Sequence, residues 1–312
     1  MKAAVFAYHD IGYVGLQELL AQGHEVVAVV THEDDPGENV WFRSVGELAR
    51  AHRLPVFTPG NPNAPEFVEQ IRACGPDILF SFYYRYMLKP PLLAIPPLGA
   101  LNLHGSYLPK YRGRCPVNWV LVNGETETGV TLHDMVEKPD AGDIVGQKRV
   151  PISEDDTALT LYEKMTVAAR EVLGEALPLL ASGTAPRIPQ DHSQASYYGG
   201  RCPEDGRFDW SGSARSIYNL VRAVTHPYPG AFTAMGEDRL LVWWCTPWRG
   251  PQTSVPATPG TVIEIRPDGP VIATGDDALL LLSVQVGDGP VLAGGDFARA
   301  YALSVGQSVP SS

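Results

Sequence analysis

Short apolar runs alternate with longer amphipathic stretches through the first half of the chain. KAAVFAY (2–8), EVVAVVT (25–31), PVF (55–57), DILFSF (77–82) and GALNLHG (99–105) predict strands. GLQELLAQG (15–23), SVGELARAHR (44–53), PEFVEQIRAC (65–74) and CPVNWVLVNG (115–124) carry apolar residues at helical spacing, several ending on glycine. Strands alternating with helices at this rhythm predict a doubly wound, mostly parallel α/β sheet. ETGVTLHDM (127–135) and GDIVGQKRV (142–150) predict an antiparallel pair joined by the turn EKPDA, and 156–180 predicts a long amphipathic helix.

The texture changes after about residue 185. One more helix fits SARSIYNLVRAV (213–224). AFTAM, LLVWWC, GTVIEI, PVIAT and ALLLLSV follow, separated by Gly and Pro turns, the pattern of a small barrel or sandwich. The expected organisation is a catalytic α/β domain over 1–189, a linker over 190–210, and a smaller β domain over 211–312.

Composition narrows the function. With 44% hydrophobic and 19% charged residues the chain has ample apolar surface for a core, and 312 residues fit one large or two ordinary domains. A net charge of -11 repels phosphate backbones, which weighs against a nucleic-acid partner. The four cysteines, Cys74, Cys115, Cys202 and Cys245, form no CxxC pair, so neither a zinc knuckle nor a disulfide framework is expected. MKAAVFAYHD turns polar too soon for a signal-peptide core, and no apolar run is long enough to span a bilayer. The expected location is the cytoplasm.

In open α/β sheets, ligands sit outside the carboxyl ends of the strands. The first turn, DIGYVG, holds Gly12 and Gly15 without GxGxxG spacing, and there is no GxxxxGK[ST], so a phosphate-cradling loop is not expected. The strongest constellation lies in LNLHGSYLPKYRGRCPVNW (101–119). Residues two apart on a strand share a face, so Asn102 and His104 point together at the mouth of the sheet. Asn supplies an amide donor for a developing oxyanion, and His a proton near neutral pH. A carboxylate is needed to orient the imidazole. Asp140, in the turn KPDAGDI, is the first candidate and Asp143 the second. The cations Lys110, Arg112 and Arg114 after the strand suggest an anion site. His9, His32, His133 and His226 have no partners at metal spacing and are expected in ordinary structural roles.

NLHGSYLPKYRG, with DAGDI downstream, resembles the signature of formyltransferases that use 10-formyltetrahydrofolate: an Asn-x-His strand end, an SLLPxxRG loop, and an aspartate in a D-[TA]-GD turn. The chain departs from it at Tyr107, where Leu is usual. FAYHD, THEDDPGE, SFYYR, LNLHGSYLPKYRGRCPVNWVLVNGETETGVTLHDMV and VRAVTHPYPGAF are further similar to the UDP-4-amino-4-deoxy-L-arabinose formyltransferase domain found in bifunctional enzymes of polymyxin resistance, over essentially the whole chain. The resemblance implies a Rossmann-like domain followed by a C-terminal OB-like β-barrel. It implies catalytic roles for Asn102, His104 and Asp140. It implies folate contacts from Tyr86, Met87, Leu88 and Arg114, and from Val136, Glu137, Lys138 and Pro139. Ser106, Lys110 and Arg112 are the candidates for the sugar-nucleotide side. No metal is implied. The bifunctional relatives also carry a UDP-glucuronate decarboxylase, so the resemblance implies the formyltransferase half alone, with a separate decarboxylase as a candidate partner and the oligomeric state open.

Three rivals share parts of this reading. Methionyl-tRNA formyltransferases have the same trio, but the loop after their second strand is basic, whereas THEDDPGENVWFRSV is acidic. Another nucleotide-linked amino sugar, such as a dTDP-sugar, would present the same amine to the same trio. A non-catalytic folate or nucleotide binding module would not need His104 and Asp140 together.

Overall fold

A computed structural model describes residues 1–34, 37, 39–250 and 257–309. Its first elements are β1 (Lys2–Ala7), α1 (His9–Ala21), β2 (Glu25–Val30), α2 (Val45–Ala51), β3 (Val56–Phe57), α3 (Pro65–Cys74), β4 (Ile78–Phe82), α4 (Pro90–Leu93) and β5 (Ala100–His104). Then come β6 (Arg112–Gly113), α5 (Pro116–Val122), β7 (Glu127–Asp134), β8 (Ile144–Pro151), α6 (Ala158–Ala181) and β9 (Tyr197–Tyr198). The remainder is α7 (Ala214–Val224), β10 (Ala231–Met235), β11 (Asp238–Pro247), β12 (Val262–Ile265), β13 (Pro270–Ala273), β14 (Ala278–Val286), β15 (Leu292–Ala293) and α8 (Gly294–Ala300).

Packing groups the chain into two units. One gathers Met1–Pro116, Glu127–Ile152 and Tyr162–Gly199; the other gathers Val117–Thr126, Ser153–Leu161 and the chain from Gly200 onward. The first unit is built on a seven-stranded sheet in the order β3-β2-β1-β4-β5-β7-β8. β1 to β5 pair in parallel, whereas β7 runs antiparallel to β5 and β8 antiparallel to β7. The Rossmann-like sheet and the antiparallel pair expected from the sequence are both present.

The central strands read as unbroken apolar runs because both their faces are covered. Ala4, Phe6, Ala28, Val30, Leu79 and Ala100 point to one face and pack with Phe67, Val68 and Ile71 of α3. α1 covers the other face, and it starts six residues earlier than its apolar spacing predicts, at His9 rather than Gly15. Gly12 and Gly15 lie inside this helix, where glycine normally costs about 1 kcal/mol. The reason is close approach: a Cβ on Gly15 would stand 2.5 Å from the Phe82 ring. α3 has conventional ends, with Pro65 in its first turn and Gly75 beyond its last in the left-handed conformation (φ 61°).

The second unit holds an antiparallel sheet in the order β10-β11-β14-β13-β12, with β15 on β14. Val271, Ala278 and Leu280 form one apolar cluster on it, and Trp210 is wholly buried. Ser213 caps α7 by accepting the Ser216 N–H. Among the described residues no helix is long and apolar enough to cross a membrane.

Candidate active site

β5 ends the parallel part of the sheet. Its leucines, Leu101 and Leu103, are buried in the core, so Asn102 and His104 project together from the opposite face at its carboxyl end. β7 lies antiparallel beside it with His133 directly opposite Asn102. Opposed residues of an antiparallel pair share a face. The side chains of Asn102, His104 and His133 are therefore neighbours by register alone.

Asp140 reaches the same place from the loop between β7 and β8. Its backbone is left-handed (φ 53°), a conformation that Asp tolerates better than most residues. One carboxylate oxygen, Oδ2, accepts the Gly113 N–H at 2.8 Å. The other, Oδ1, faces three nitrogens: Asn102 Nδ2 at 3.4 Å, His133 Nε2 at 3.5 Å and His104 Nδ1 at 3.6 Å. His104 Nε2 lies 2.8 Å from the Tyr111 carbonyl, which can only accept, so Nε2 carries a proton and Nδ1 is the atom turned to Asp140. His133 donates Nδ1–H to the Asp134 carbonyl at 2.8 Å. Its Nε2 is 3.2 Å from the Asn102 amide nitrogen, from which it accepts in the neutral ring.

Both histidines are buried. Burial by itself would raise the Asp140 carboxyl. The charge of His104, the hydrogen bond and charge of His133, and the Gly113 amide reverse this and hold the carboxyl well below the usual carboxylate range. The site thus contains a fixed anion with amide and imidazole donors around one of its oxygens. Such an arrangement can stabilise negative charge on a reacting oxygen and deliver a proton. Among the described residues no group of three His, Cys, Asp or Glu could hold a metal ion.

The other expected residues fall in distinct places. Asn102, His104 and Asp140 come together as described. Asp143, the second candidate, gives its backbone carbonyl to Asp134 N–H. Tyr86 and Met87 are 45% and 57% exposed in the loop after β4, whereas Leu88 is buried in the core. Asn63 grips this loop from both sides, donating to the Met87 carbonyl and accepting from Lys89 N–H. Val136, Glu137, Lys138 and Pro139 are exposed in the loop that leads to Asp140, and Lys110 and Arg114 are exposed beyond β5. Ser106 and Arg112 differ from expectation. Both are fully buried (0% exposed): Ser106 ties its hydroxyl to the Lys110 carbonyl, and Arg112 turns inward. Tyr107 lies beneath the Arg149 guanidinium, 4.2 Å from it, and so faces β8.

His133 is the site residue that sequence reasoning missed. Its signal was the strand-end dipeptide His-Asp preceding the aspartate turn, but only the β5–β7 register gives it meaning. The other three histidines expected in structural roles have ordinary partners. His9 stacks on Phe42 at 3.7 Å and bonds Tyr162, His32 stacks on Tyr84, and His226 stacks on Trp243.

Fold and site together place amide and imidazole groups around one carboxylate at the end of a parallel sheet. Residues 1–177 match the family model described as "Formyl transferase", and residues 202–302 match "Formyl transferase, C-terminal domain". The chain belongs to the formyl transferase family.

Solved structures share the fold. HypX from Aquifex aeolicus, in complex with tetrahydrofolic acid, aligns with TM-score 0.64 and 18% identity over 97% of this chain and 47% of its own. This chain thus spans about half the length of HypX, 47%. An N-formyltransferase from Helicobacter canadensis, in complex with folinic acid and dTDP-3-aminofucose, aligns with TM-score 0.67 and 20% identity over 90% of this chain and 99% of its own. Methionyl-tRNA formyltransferase from Clostridium thermocellum aligns with TM-score 0.57 and 14% identity over 80% and 95%.

Proposed function

We propose that the protein transfers a formyl group from 10-formyltetrahydrofolate to the primary amine of a nucleotide-linked amino sugar, UDP-4-amino-4-deoxy-L-arabinose, the modification that leads to aminoarabinose-bearing lipid A and polymyxin resistance. The observation that carries the transfer chemistry is the convergence of Asn102 Nδ2 and His104 Nδ1 on one oxygen of Asp140. The sugar rests on the sequence resemblance and on the acidic balance of the chain, -11, which disfavours a tRNA acceptor.

The residues present suit a folate. Tyr86, Met87 and Val136 offer exposed apolar side chains from two loops at the strand ends. Leu88 points into the core, so its contact would come from the backbone. 10-Formyltetrahydrofolate would supply the formyl carbon. The unprotonated sugar amine attacks that carbon, and charge grows on the formyl oxygen. Asn102 and protonated His104 donate to this oxygen, each such donor being worth roughly a hundred- to a thousand-fold in rate. His104 then gives a proton to the departing folate nitrogen as the C–N bond breaks, and the amine proton leaves through Asp140 or solvent. The products are the sugar formamide and tetrahydrofolate.

An acceptor screen by mass spectrometry tests this. The protein is mixed with 10-formyltetrahydrofolate and, in parallel, with UDP-4-amino-4-deoxy-L-arabinose, a dTDP-amino sugar and methionyl-tRNA, with His104→Ala as control. A gain of formyl on the UDP-sugar that disappears in the mutant is the expected result. Transfer to another acceptor alone would keep the chemistry and reject the sugar. Ligand binding without transfer to any amine would reject the enzyme reading.

A further inference from the structure

We infer that Arg112 and Gln190 form a buried bracket that positions Asp140 against His104, and that Arg112 acts there rather than as a ligand for substrate. This rests on the reading of Asp140 and His104 as the reacting pair.

The bracket starts at the turn. Asp140 is held left-handed, and the carbonyls of Asp140 and Gly142 both point inward. A single NH2 group serves both: Gln190 Nε2 donates to the Asp140 carbonyl at 2.9 Å and to the Gly142 carbonyl at 2.6 Å. The other end of that amide is fixed by Arg112. Gln190 Oε1 accepts from Arg112 Nη2 at 2.6 Å and from Nε at 3.2 Å. The amide therefore has one permitted orientation. Turned over, it would set its NH2 against a guanidinium and its oxygen against two carbonyls.

Arg112 spends the rest of its donors internally. Nη1 donates to the Tyr197 hydroxyl at 2.6 Å and Nη2 to His192 Nδ1 at 2.9 Å. All of these partners are neutral, and no carboxylate pairs with Arg112 among the described residues. A wholly buried cation without a carboxylate partner carries a large desolvation cost. Such a group is poorly explained as a stabilising ion pair. It is better explained by what it holds in place.

The main chain around Arg112 completes the device. Tyr111 supplies the carbonyl that takes His104 Nε2–H, and Gly113 supplies the N–H that binds Asp140 Oδ2. Three consecutive residues thus fix the imidazole, the amide bracket and the carboxylate. The pairing of β6 with β9 anchors them, through Arg112 N–H to the Ser196 carbonyl and Arg114 N–H to the Tyr198 carbonyl.

Gln190→Glu separates the two halves of the bracket. It keeps oxygens for Arg112, and even adds a charge, but removes the donors to the Asp140 and Gly142 carbonyls. The expected result is a fall in kcat of roughly 10- to 100-fold, as for a misplacement of about 1 Å, with folinic acid affinity and amine KM within about threefold of wild type. Gln190→Met, which loses both halves, should show the same kcat loss together with a lower melting temperature. Wild-type kcat in Gln190→Glu, or a loss confined to KM or ligand affinity, would overturn the inference. A second measurement needs no turnover. Ring nitrogen NMR signals of 15N-histidine-labelled protein, with His104 assigned through His104→Ala, should move for His104 in Gln190→Glu and stay fixed for His226. An unmoved His104 signal would reject the bracket. If the wild type formylates no amine, the proposed reaction fails, while the NMR comparison still decides whether Gln190 positions the site.

Discussion

His133 stands directly across β5 and β7 from Asn102, and its Nε2 lies 3.2 Å from the Asn102 amide nitrogen. The same nitrogen is 3.5 Å from Asp140 Oδ1. In the neutral ring, with Nδ1–H given to the Asp134 carbonyl, Nε2 accepts from the amide. His133 thereby sets which way the Asn102 amide points. His133→Phe should preserve the strand but free that amide. We expect kcat to fall by roughly tenfold, less than the hundredfold or more for Asn102→Ala, with folate affinity little changed. Steady-state kinetics of the two variants, side by side, checks the order.

Asp140→Asn removes the anion and keeps its shape. Formyl transfer should drop by roughly 10²- to 10⁴-fold, as expected for loss of a group that organises a proton donor. Stability carries a second signature. The folded carboxyl is held below its unfolded value of about 3.9, so its stabilising contribution is complete above that pH and is lost as the pH falls toward the folded value. Melting temperatures taken from pH 5 down to pH 2.5 should fall less steeply in Asp140→Asn than in the wild type.

His9 carries the opposite sign. Burial first, and the Arg85 charge second, lower its pKa to about 3. Between its unfolded value near 6.5 and about 3, the unfolded chain binds a proton that the folded chain refuses. His9 therefore costs stability as the pH drops through that window. Asn suits the left-handed backbone at this position (φ 68°) and does not titrate. His9→Asn should lower the urea midpoint at pH 7.5, where the Phe42 stacking and the Tyr162 bond are lost. At pH 4.5 that deficit should shrink or reverse.

Gly15→Ala tests the close approach of α1 to the sheet. The added methyl meets the Phe82 ring at 2.5 Å, and both are in packed surroundings. Overpacking of this kind costs roughly 1–3 kcal/mol, which should outweigh the helix-propensity gain of about 1 kcal/mol. Urea unfolding should report a net loss of stability. A gain would mean that the helix shifts to make room.

The order of strands and helices was legible because each central strand is an apolar run between helical spacings. The start of α1 was not, because Gly12 and Gly15 read as turn residues until Ala7 and Phe82 are seen to press on them. Asn102, His104 and Asp140 were legible because strand alternation and a turn motif are local signals. Arg112 was read as an anion ligand because its partners, Gln190, His192 and Tyr197, lie about eighty residues away in a stretch read as linker. His133 was missed for the same kind of reason, since its role depends on which strand β7 pairs with. α8 carried too few apolar positions to stand out among turns.

Asn63 holds Met87 and Lys89 by their backbones, and Leu88 is sunk into the core between them. A ligand laid along that ribbon would find it already stiff. Little chain entropy would remain to be surrendered on association, so tightness there should depend on shape and contact rather than on ordering. Loosening the ribbon at Asn63 would then slow nothing in the chemistry. It would shorten the time the ligand stays.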